Sequence, residues 1–188
     1  MVLSTQYGQQ QLDFPRVQPA ISLAGMRYDA ASEGHHLDVW VERAACNDTM
    51  ADVAYPYRVQ YRLDGDEQSG CGGDSREVLE GGEWLIEEIG GEAVVEDTAP
   101  TIEFIQIDGE DRFAGLASCN RFMGRYQLSG EGINLSPVAS TMMACSPESH
   151  AMQELRLLEL LEEVCGFGID SEGRLHLRAG SGEIIARR

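Results

Sequence analysis

Five cysteines are the residues of this 188-residue chain whose chemistry is easiest to interpret: Cys46, Cys71, Cys119, Cys145 and Cys165. No two of them form a Cys-x-x-Cys pair, which argues against a thioredoxin-like site or a zinc knuckle. Two pairs have similar separations, Cys46 with Cys71 and Cys119 with Cys145. Disulfides closing such loops would each stabilise by roughly 3 kcal/mol. We therefore predict two disulfides formed in an oxidising compartment, and a buried free thiol at Cys165.

The other side chains that could do chemistry form no recognisable catalytic motif. The sequence has no Gly-x-Ser-x-Gly, no His-Glu-x-x-His and no phosphate-binding glycine loop. His35 and His36, with Asp29 or Asp38, could hold a divalent metal, but adjacent residues of a strand point to opposite faces. We interpret them as surface residues. The sequence thus predicts no catalytic residue, no metal site and no cofactor.

The charge of the chain is strongly negative, with 32 acidic and 14 basic residues and a formal net charge of −18. Phosphate backbones and anionic lipids would be repelled, so we expect no nucleic-acid partner. No apolar stretch is long enough to cross a bilayer. Residues 1–6 lack the pattern of a secretory leader. Because of the cysteines we nevertheless expect a protein whose leader has been removed.

The first half of the chain predicts a small β-rich domain. Residues 1–18 are rich in Gln and aperiodic, which predicts a flexible arm. Alternating apolar residues then predict strands, and Asp64-Gly65 predicts a turn. The Gly- and Asp-rich stretch that follows predicts a linker over 74–81, so we place this domain at 19–73. The predicted strands are 21–26, 37–42 and 57–63.

The second half, residues 82–188, predicts antiparallel strands interrupted by one helix. The helix is expected at about 147–165, with Ser146 as N-cap, Pro147 in its first turn and Gly166 ending it. Its apolar stripe is expected to be Met152, Leu155, Leu158 and Leu161, with Glu154 on the polar side. The fold class is therefore α+β, mostly antiparallel, with a curved sheet packed on one main helix. The predicted strands are 84–86, 101–105, 112–115, 125–128, 133–135, 167–170, 174–177 and 183–186.

Three ordered blocks of the second half carry a family resemblance. They are Gly82-Glu83-Trp84, the segment from Phe113 through Cys119-Asn120-Arg121-Phe122-Met123-Gly124-Arg125-Tyr126, and Thr141-Met142-Met143-Ala144-Cys145. Together they resemble the META domain family of the HslJ-like kind, with Ser118 where that family usually has glycine. The signature residues are Trp84, Cys119, Asn120, Phe122, Gly124, Tyr126, Thr141, Met143 and Cys145.

A second resemblance covers about residues 20–73. Cys46-Asn47-Asp48-Thr49-Met50, Tyr55-Pro56 and Gly70-Cys71-Gly72 are similar to a pattern of uncharacterised bacterial envelope proteins, often lipoproteins. Pairing of Cys46 with Cys71 belongs to that pattern. The two resemblances imply a protein of the periplasm or outer membrane, possible lipid anchoring at the N-terminus and a stress-related role. They bring no catalytic residues.

The signature residues have structural interpretations and one functional alternative. Asn120 suits a turn at a strand end, and Trp84, Phe122 and Tyr126 suit the core. Residues 141–145 could instead line a cavity between helix and sheet that takes a lipid or peptide. Our leading hypothesis is a non-enzymatic envelope module that binds a protein or an apolar ligand at a strand edge or helix-capped cavity. The rivals are a carboxylate-based hydrolase with a cleft between its two domains and a purely structural protein.

Overall fold

The structure is a computed structural model that describes residues 1–5, 10–48 and 50–188. The chain divides into two compact units. The first comprises Met1–Cys46 and Pro56–Gly73, and the second comprises Asn47–Tyr55 and Asp74–Arg188. The short segment 47–55 therefore belongs with the second unit, although it lies inside the predicted N-terminal domain.

Nine strands are described before residue 73. Five of them, β3-β4-β5-β8-β9, form an antiparallel sheet in that order, and β1 pairs with β2 in a hairpin. Phe14, Ala30 and Leu37 are buried in the core of this unit, with Leu3 and Leu12 of the hairpin packed against them. The strands are β1 Val2–Thr5, β2 Gln10–Asp13, β3 Ala20–Ser22, β4 Gly25–Ser32, β5 His35–Glu42, β6 Cys46–Asp48, β7 Val53–Tyr55, β8 Tyr57–Leu63 and β9 Asp66–Gly72.

Two predictions for the first unit are wrong. The flexible arm is a hairpin followed by the buried Phe14, because its few apolar residues pack on one face of the sheet. Residues 6–9 of that arm, and Thr49 of the envelope-protein pattern, lie outside the described residues. The predicted single strand 21–26 is interrupted by a turn at Leu23 and Ala24 between β3 and β4, and Leu23 is fully exposed.

The second unit has two helices and ten strands in one sheet, whose main path is β15-β14-β13-β12-β10-β19-β18-β17. β11 pairs with β10, and β16 pairs with β14. The elements are α1 Arg76–Leu79, β10 Trp84–Ile89, β11 Glu92–Ala93, β12 Thr101–Ile107, β13 Glu110–Leu116, β14 Arg121–Ser129, β15 Gly132–Leu135, β16 Ala139–Ser140, α2 Glu148–Glu163, β17 Val164–Ile169, β18 Leu175–Ala179 and β19 Gly182–Arg187.

The ten-stranded sheet curls until its two end strands meet. A Cβ placed on Gly132, at the start of β15, would lie 2.0 Å from the carbonyl oxygen of Cys165 in β17. The sheet is therefore a nearly closed barrel. Its core contains large side chains that are almost completely buried, among them Phe104, Phe113, Phe122, Phe167, Leu135 and Leu177.

The predicted, mostly antiparallel β architecture is confirmed, but the predicted class is confirmed only in part. The protein is mostly antiparallel β with two helices and a small helical fraction, so it is not clearly an α+β protein with one main helix. Neither described helix has the length and apolar content to cross a membrane. The predicted linker is also wrong, because residues 76–79 form α1 and Leu79 is completely buried.

The main helix lies within two residues of its predicted bounds, but its capping residues and its buried face differ from those predicted. Pro147 is the N-cap, and the chain enters β17 at Val164 without a glycine stop. Leu157, Leu160 and Leu161 are at most 1% exposed, whereas Met152 and Leu155 are 64% and 60% exposed. Gln153 and Glu154 are buried as well. The helix packs against β10, β15, β18 and β19, so their geometry selects which face is covered.

Cys165 is exposed, contrary to the prediction of a buried thiol. The residue lies in β17 and not at the end of α2. The strand register shifts between Val164 and Gly166, so Cys165 lies at a β-bulge and stays exposed while Val164 and Phe167 are both buried.

Barrel closure at Gly132 can be tested with a matched pair of glycine variants. Gly132→Ala should lower the free energy of unfolding by more than about 1 kcal/mol, because the site has φ of 148° and no room for a Cβ. Gly130→Ala, two residues away with nothing within 4 Å, should be nearly neutral. Urea unfolding curves measure both. Equal effects of the two variants would contradict a close approach of β15 to β17.

Candidate functional site

Both predicted disulfides are present. Cys46 is bonded to Cys71 with Cα atoms 5.4 Å apart, and Cys119 is bonded to Cys145 with Cα atoms 5.9 Å apart. The first closes a loop from β6 to β9, and the second ties the turn after β13 to the segment before α2. Each pair fits an oxidising, extracytoplasmic compartment.

Asn120 is the centre of a buried hydrogen-bond network next to the second disulfide. Its Oδ1 accepts hydrogen bonds from Thr141 Oγ1 at 2.7 Å and from the Met143 amide at 2.8 Å. Its Nδ2 donates to Glu154 Oε1 at 2.7 Å and to the Met143 carbonyl at 3.0 Å. All four hydrogen-bonding positions of this side-chain amide are therefore used within the protein.

Glu154 is a carboxylate held inside the protein by these donors. Its Oε2 accepts a hydrogen bond from the Asn120 amide at 3.0 Å and a longer one from the Cys119 amide at 3.4 Å. The neighbouring Gln153 accepts from the Val95 amide at 2.6 Å and donates to Ser118 Oγ at 2.9 Å. These two side chains fix the N-terminal half of α2 against the turn after β13.

Among the described residues, one group of cysteine and acidic side chains is close enough together to surround a metal ion. It consists of Cys119, Cys145 and Glu154. The two sulfur atoms are bonded to each other, so neither is a thiolate. Thiolates, not disulfides, are the sulfur ligands of metals. We therefore interpret the cluster as structural.

Two further signature residues, Trp84 and Tyr126, hold the α1 segment. Trp84 Nε1 donates to the carbonyl of Leu79 at 2.9 Å, and Tyr126 Oη donates to Glu80 Oε1 at 2.8 Å. Burial, and then the hydrogen bond to Glu80, raises the pKa of Tyr126 well above its usual value. The guanidinium of Arg188 stacks over the Trp84 ring at 4.0 Å. Both aromatic side chains thus have a structural task.

Arg76 and Asp111 add an ion pair beside this contact. The guanidinium of Arg76 donates to Asp111 at 2.8–3.1 Å, and the Asp111 side chain is 13% exposed. Hydrogen bonds from Arg76 hold the pKa of Asp111 below its usual range. The pair therefore attaches α1 to β13 most strongly when Asp111 is ionised.

The two adjacent histidines point to different partners. His35 Nδ1 lies 2.5 Å from Asp64, and His36 Nε2 lies 3.1 Å from Asp29. Both histidines are partly exposed, and the structure does not bring their rings to a common ligand position.

The first unit carries a polar pocket of about 260 Å³ on its sheet, next to Trp40. Arg27 donates two hydrogen bonds to Asp38, at 2.8 and 2.6 Å, and Arg62 pairs with Glu67 at 3.1 Å. Each arginine here has its own carboxylate, so the charges of this pocket are balanced.

An apolar groove of about 300 Å³ lies on the outer face of the barrel, across β12, β13 and β14. Ile107 and Met123 are 44% and 59% exposed there. At Gly124 a Cβ would meet both the Pro137 carbonyl at 2.4 Å and the Phe113 ring at 2.6 Å, so the missing side chain lets these groups approach. The groove is lined by Ile105, Ile107, Arg112, Phe113, Ala114, Met123, Gly124, Arg125, Pro137 and Ala139.

Sequence reasoning missed this groove and placed the apolar cavity elsewhere. Met142 and Met143 are 97% and 61% exposed, and the face of α2 toward the sheet is filled by its leucines. A signal for the groove does exist in β12. Ile105 and Ile107 are apolar at outward positions of a strand whose inward positions, Ile102 and Phe104, are also apolar.

The geometry defines a barrel-like antiparallel β protein in which the signature residues Trp84, Asn120 and Tyr126 hold the architecture together. The family model for the META domain matches residues 77–188, and the chain belongs to this family. The match begins at α1, five residues before the predicted start. No curated protein sequence matches the chain significantly.

Two solved structures are similar to part of the chain. One is an NMR structure of a protein from Burkholderia xenovorans, with 18% identity, a TM-score of 0.48, and coverage of 63% of this chain and 92% of that one. The other NMR structure has 24% identity, a TM-score of 0.47, and coverage of 59% and 92%.

Replacing the buried carboxylate tests the network. Glu154→Gln should lower the free energy of unfolding by about 1–3 kcal/mol, because an amide at this site weakens the charge-assisted hydrogen bonds from residues 119 and 120. Glu159→Gln, on the exposed side of the same helix, is the control and should change little. Denaturant unfolding of both proteins gives the comparison. Equal stability of the two variants would show that the network contributes nothing.

The Arg76–Asp111 pair predicts a pH dependence of stability. A carboxylate with a lowered folded-state pKa adds stability above its unfolded pKa, about 3.9, and that stability is lost as pH falls through the folded pKa. Asp111→Asn should therefore reduce the loss of stability below about pH 4. Asp108→Asn, at an exposed turn, should keep the slope of the unaltered protein. Thermal unfolding from pH 6 to pH 3 measures how stability changes with pH. If stability falls equally with pH in all three proteins, the Arg76–Asp111 pair makes no such contribution.

Proposed function

We propose that this protein is an extracytoplasmic, non-enzymatic binding module whose META domain holds an apolar ligand in the outer-face groove. The observation that carries the proposal is the groove itself, which brings the exposed side chains of Ile107 and Met123 together in one concave site. Concave apolar sites with a few polar groups at the edge are the usual form of small-molecule sites.

The compartment in this proposal is the periplasm or the outer membrane. Two disulfides support a location outside the reducing cytosol. The resemblance of the first half to envelope lipoproteins adds an N-terminal lipid anchor and a stress-related role to the proposal.

The carboxyl groups favour a binding module over the rival hydrolase. A general acid needs a carboxyl with a raised pKa. The carboxyl groups with clearly shifted pKa values in the described part of the chain all have lowered values: Asp38, Asp64, Asp111 and Asp170. The carboxyl group of Glu154 accepts hydrogen bonds from residues 119 and 120, which gives it a structural role. The purely structural alternative predicts no pocket, so the groove counts against it.

A neutral fluorescent probe tests the proposal directly. N-phenyl-1-naphthylamine should bind the unaltered protein with saturation, and Met123→Glu should weaken its binding because a charged side chain enters the apolar groove. Leu155→Glu is the matched control, since Leu155 is 60% exposed on α2 and outside the groove. It should bind the probe like the unaltered protein.

Two results would overturn the proposal. One is the absence of saturable probe binding to the unaltered protein. The other is equal weakening by Met123→Glu and Leu155→Glu, which would place the probe elsewhere or make its binding nonspecific. Circular dichroism of both variants verifies that they remain folded.

A further inference from the structure

Two arginines that line the groove contact a single carboxylate, and their row in the sheet lies between the row of Ile107 and the row of Met123. Arg112 in β13 and Arg125 in β14 are directly opposite in the strand register. Both contact the same Oε2 atom of Glu110, Arg112 at 2.6 Å and Arg125 at 3.3 Å. Glu103 lies on the same outer face, opposite Ala114, and forms no ion pair with either arginine among the described residues. Arg112 and Arg125 therefore have one ion-paired carboxylate between them.

Within the described part of the chain, no other carboxylate forms ion pairs with two arginines. Every other arginine that forms an ion pair there has a carboxylate that it shares with no second arginine, as Arg27 has Asp38 and Arg187 has Glu87. The Nε of Arg112 is buried and has no hydrogen-bond partner among the described residues. The two side chains are 42% and 59% exposed, so they are accessible to a ligand. A local positive site on a chain with a net charge of −18 points to an anionic group.

We propose that the groove binds a single-chain anionic amphiphile, with a carboxylate head group on Arg112 and Arg125 and an alkyl chain over the neighbouring Ala114 and Met123. This inference rests on the proposed function, because it names the ligand class of the same groove. Guanidinium groups bind carboxylates through paired, planar hydrogen bonds, which the free donors of two adjacent arginines can supply.

The size of the groove selects one alkyl chain over a two-chain lipid. Its volume of about 300 Å³ is at the lower end of the range for ligand sites, roughly 300–1,000 Å³. The net charge of the protein argues against docking on an anionic membrane surface. A soluble fatty acid satisfies both conditions: its single chain suits the volume of the groove, and its single charge is repelled far less than an anionic membrane surface.

Dodecanoate and dodecan-1-ol have the same alkyl chain, but only dodecanoate carries a negative charge. Comparing their affinities therefore separates the contribution of the charged head group from that of the chain. Both are titrated below their aggregation concentrations, by isothermal titration calorimetry and by displacement of N-phenyl-1-naphthylamine. Arg125→Gln and Arg112→Gln should each weaken dodecanoate binding roughly three- to fivefold and leave dodecan-1-ol binding unchanged. Arg121→Gln, which removes the same charge from β14 outside the groove, should change neither affinity.

The outcomes distinguish this inference from the proposed function. If dodecan-1-ol and the probe bind in a Met123-dependent manner but dodecanoate binding is unaffected by Arg112→Gln and Arg125→Gln, the carboxylate site is wrong and the apolar site stands. If Arg121→Gln weakens dodecanoate as much as Arg125→Gln, general charge and not this site explains the binding. If calorimetry shows that neither amphiphile binds while the probe does, the ligand class is wrong. Absence of all binding refutes both.

Discussion

The buried carboxylate of Glu154 is the constraint on which the META domain depends. A charged group inside a protein is tolerated only when donors surround it, and here the donors come from the backbone and side chain of residues 119 and 120. Asn120 also binds the backbone at Met143, so three segments distant in the sequence must meet. The Cys119–Cys145 disulfide joins two of them covalently. This contact fixes α2, whose leucines complete the core.

Apart from Gly124, which lines the groove, the signature residues of β14 and the proposed ligand site lie on different sides of that strand. Phe122 and Tyr126 point into the barrel, whereas Met123 and Arg125 point outward between them. Because side chains alternate along a strand, inward positions can preserve the architecture while outward positions set what is bound. The net negative charge acts at long range and is screened by salt within about 8–10 Å. In the proposed site, a bound carboxylate would be in direct contact with Arg112 and Arg125, and this attraction would be stronger than the screened repulsion from distant acidic residues.

Predictions failed where a residue's surroundings come from distant parts of the chain. Apolar spacing on α2 suggested a stripe through Met152 and Leu155, yet the covered face contains Gln153 and Glu154. The hydrophobic pattern could not identify that face, because Glu154 is a polar residue. It is stable inside the protein only because Asn120 donates hydrogen bonds to its carboxylate. The Gly- and Asp-rich composition near α1 likewise suggested a linker, while Trp84 and Tyr126 hold that segment in place.

The sequence by itself determined the local features of this protein. The eight predicted strands of the second half fall on β10, β12–β15 and β17–β19, and Asp64-Gly65 forms the turn between β8 and β9, because strand alternation and turn chemistry act over a few residues. The ordered signature blocks identified the family, and cysteine spacing gave both disulfides. Only the tertiary structure decided the closure of the barrel, the burial of Glu154, the exposure of Cys165 and the outer-face groove. Each of these depends on which strand or helix covers a given face, and that is set by packing between residues far apart in the chain.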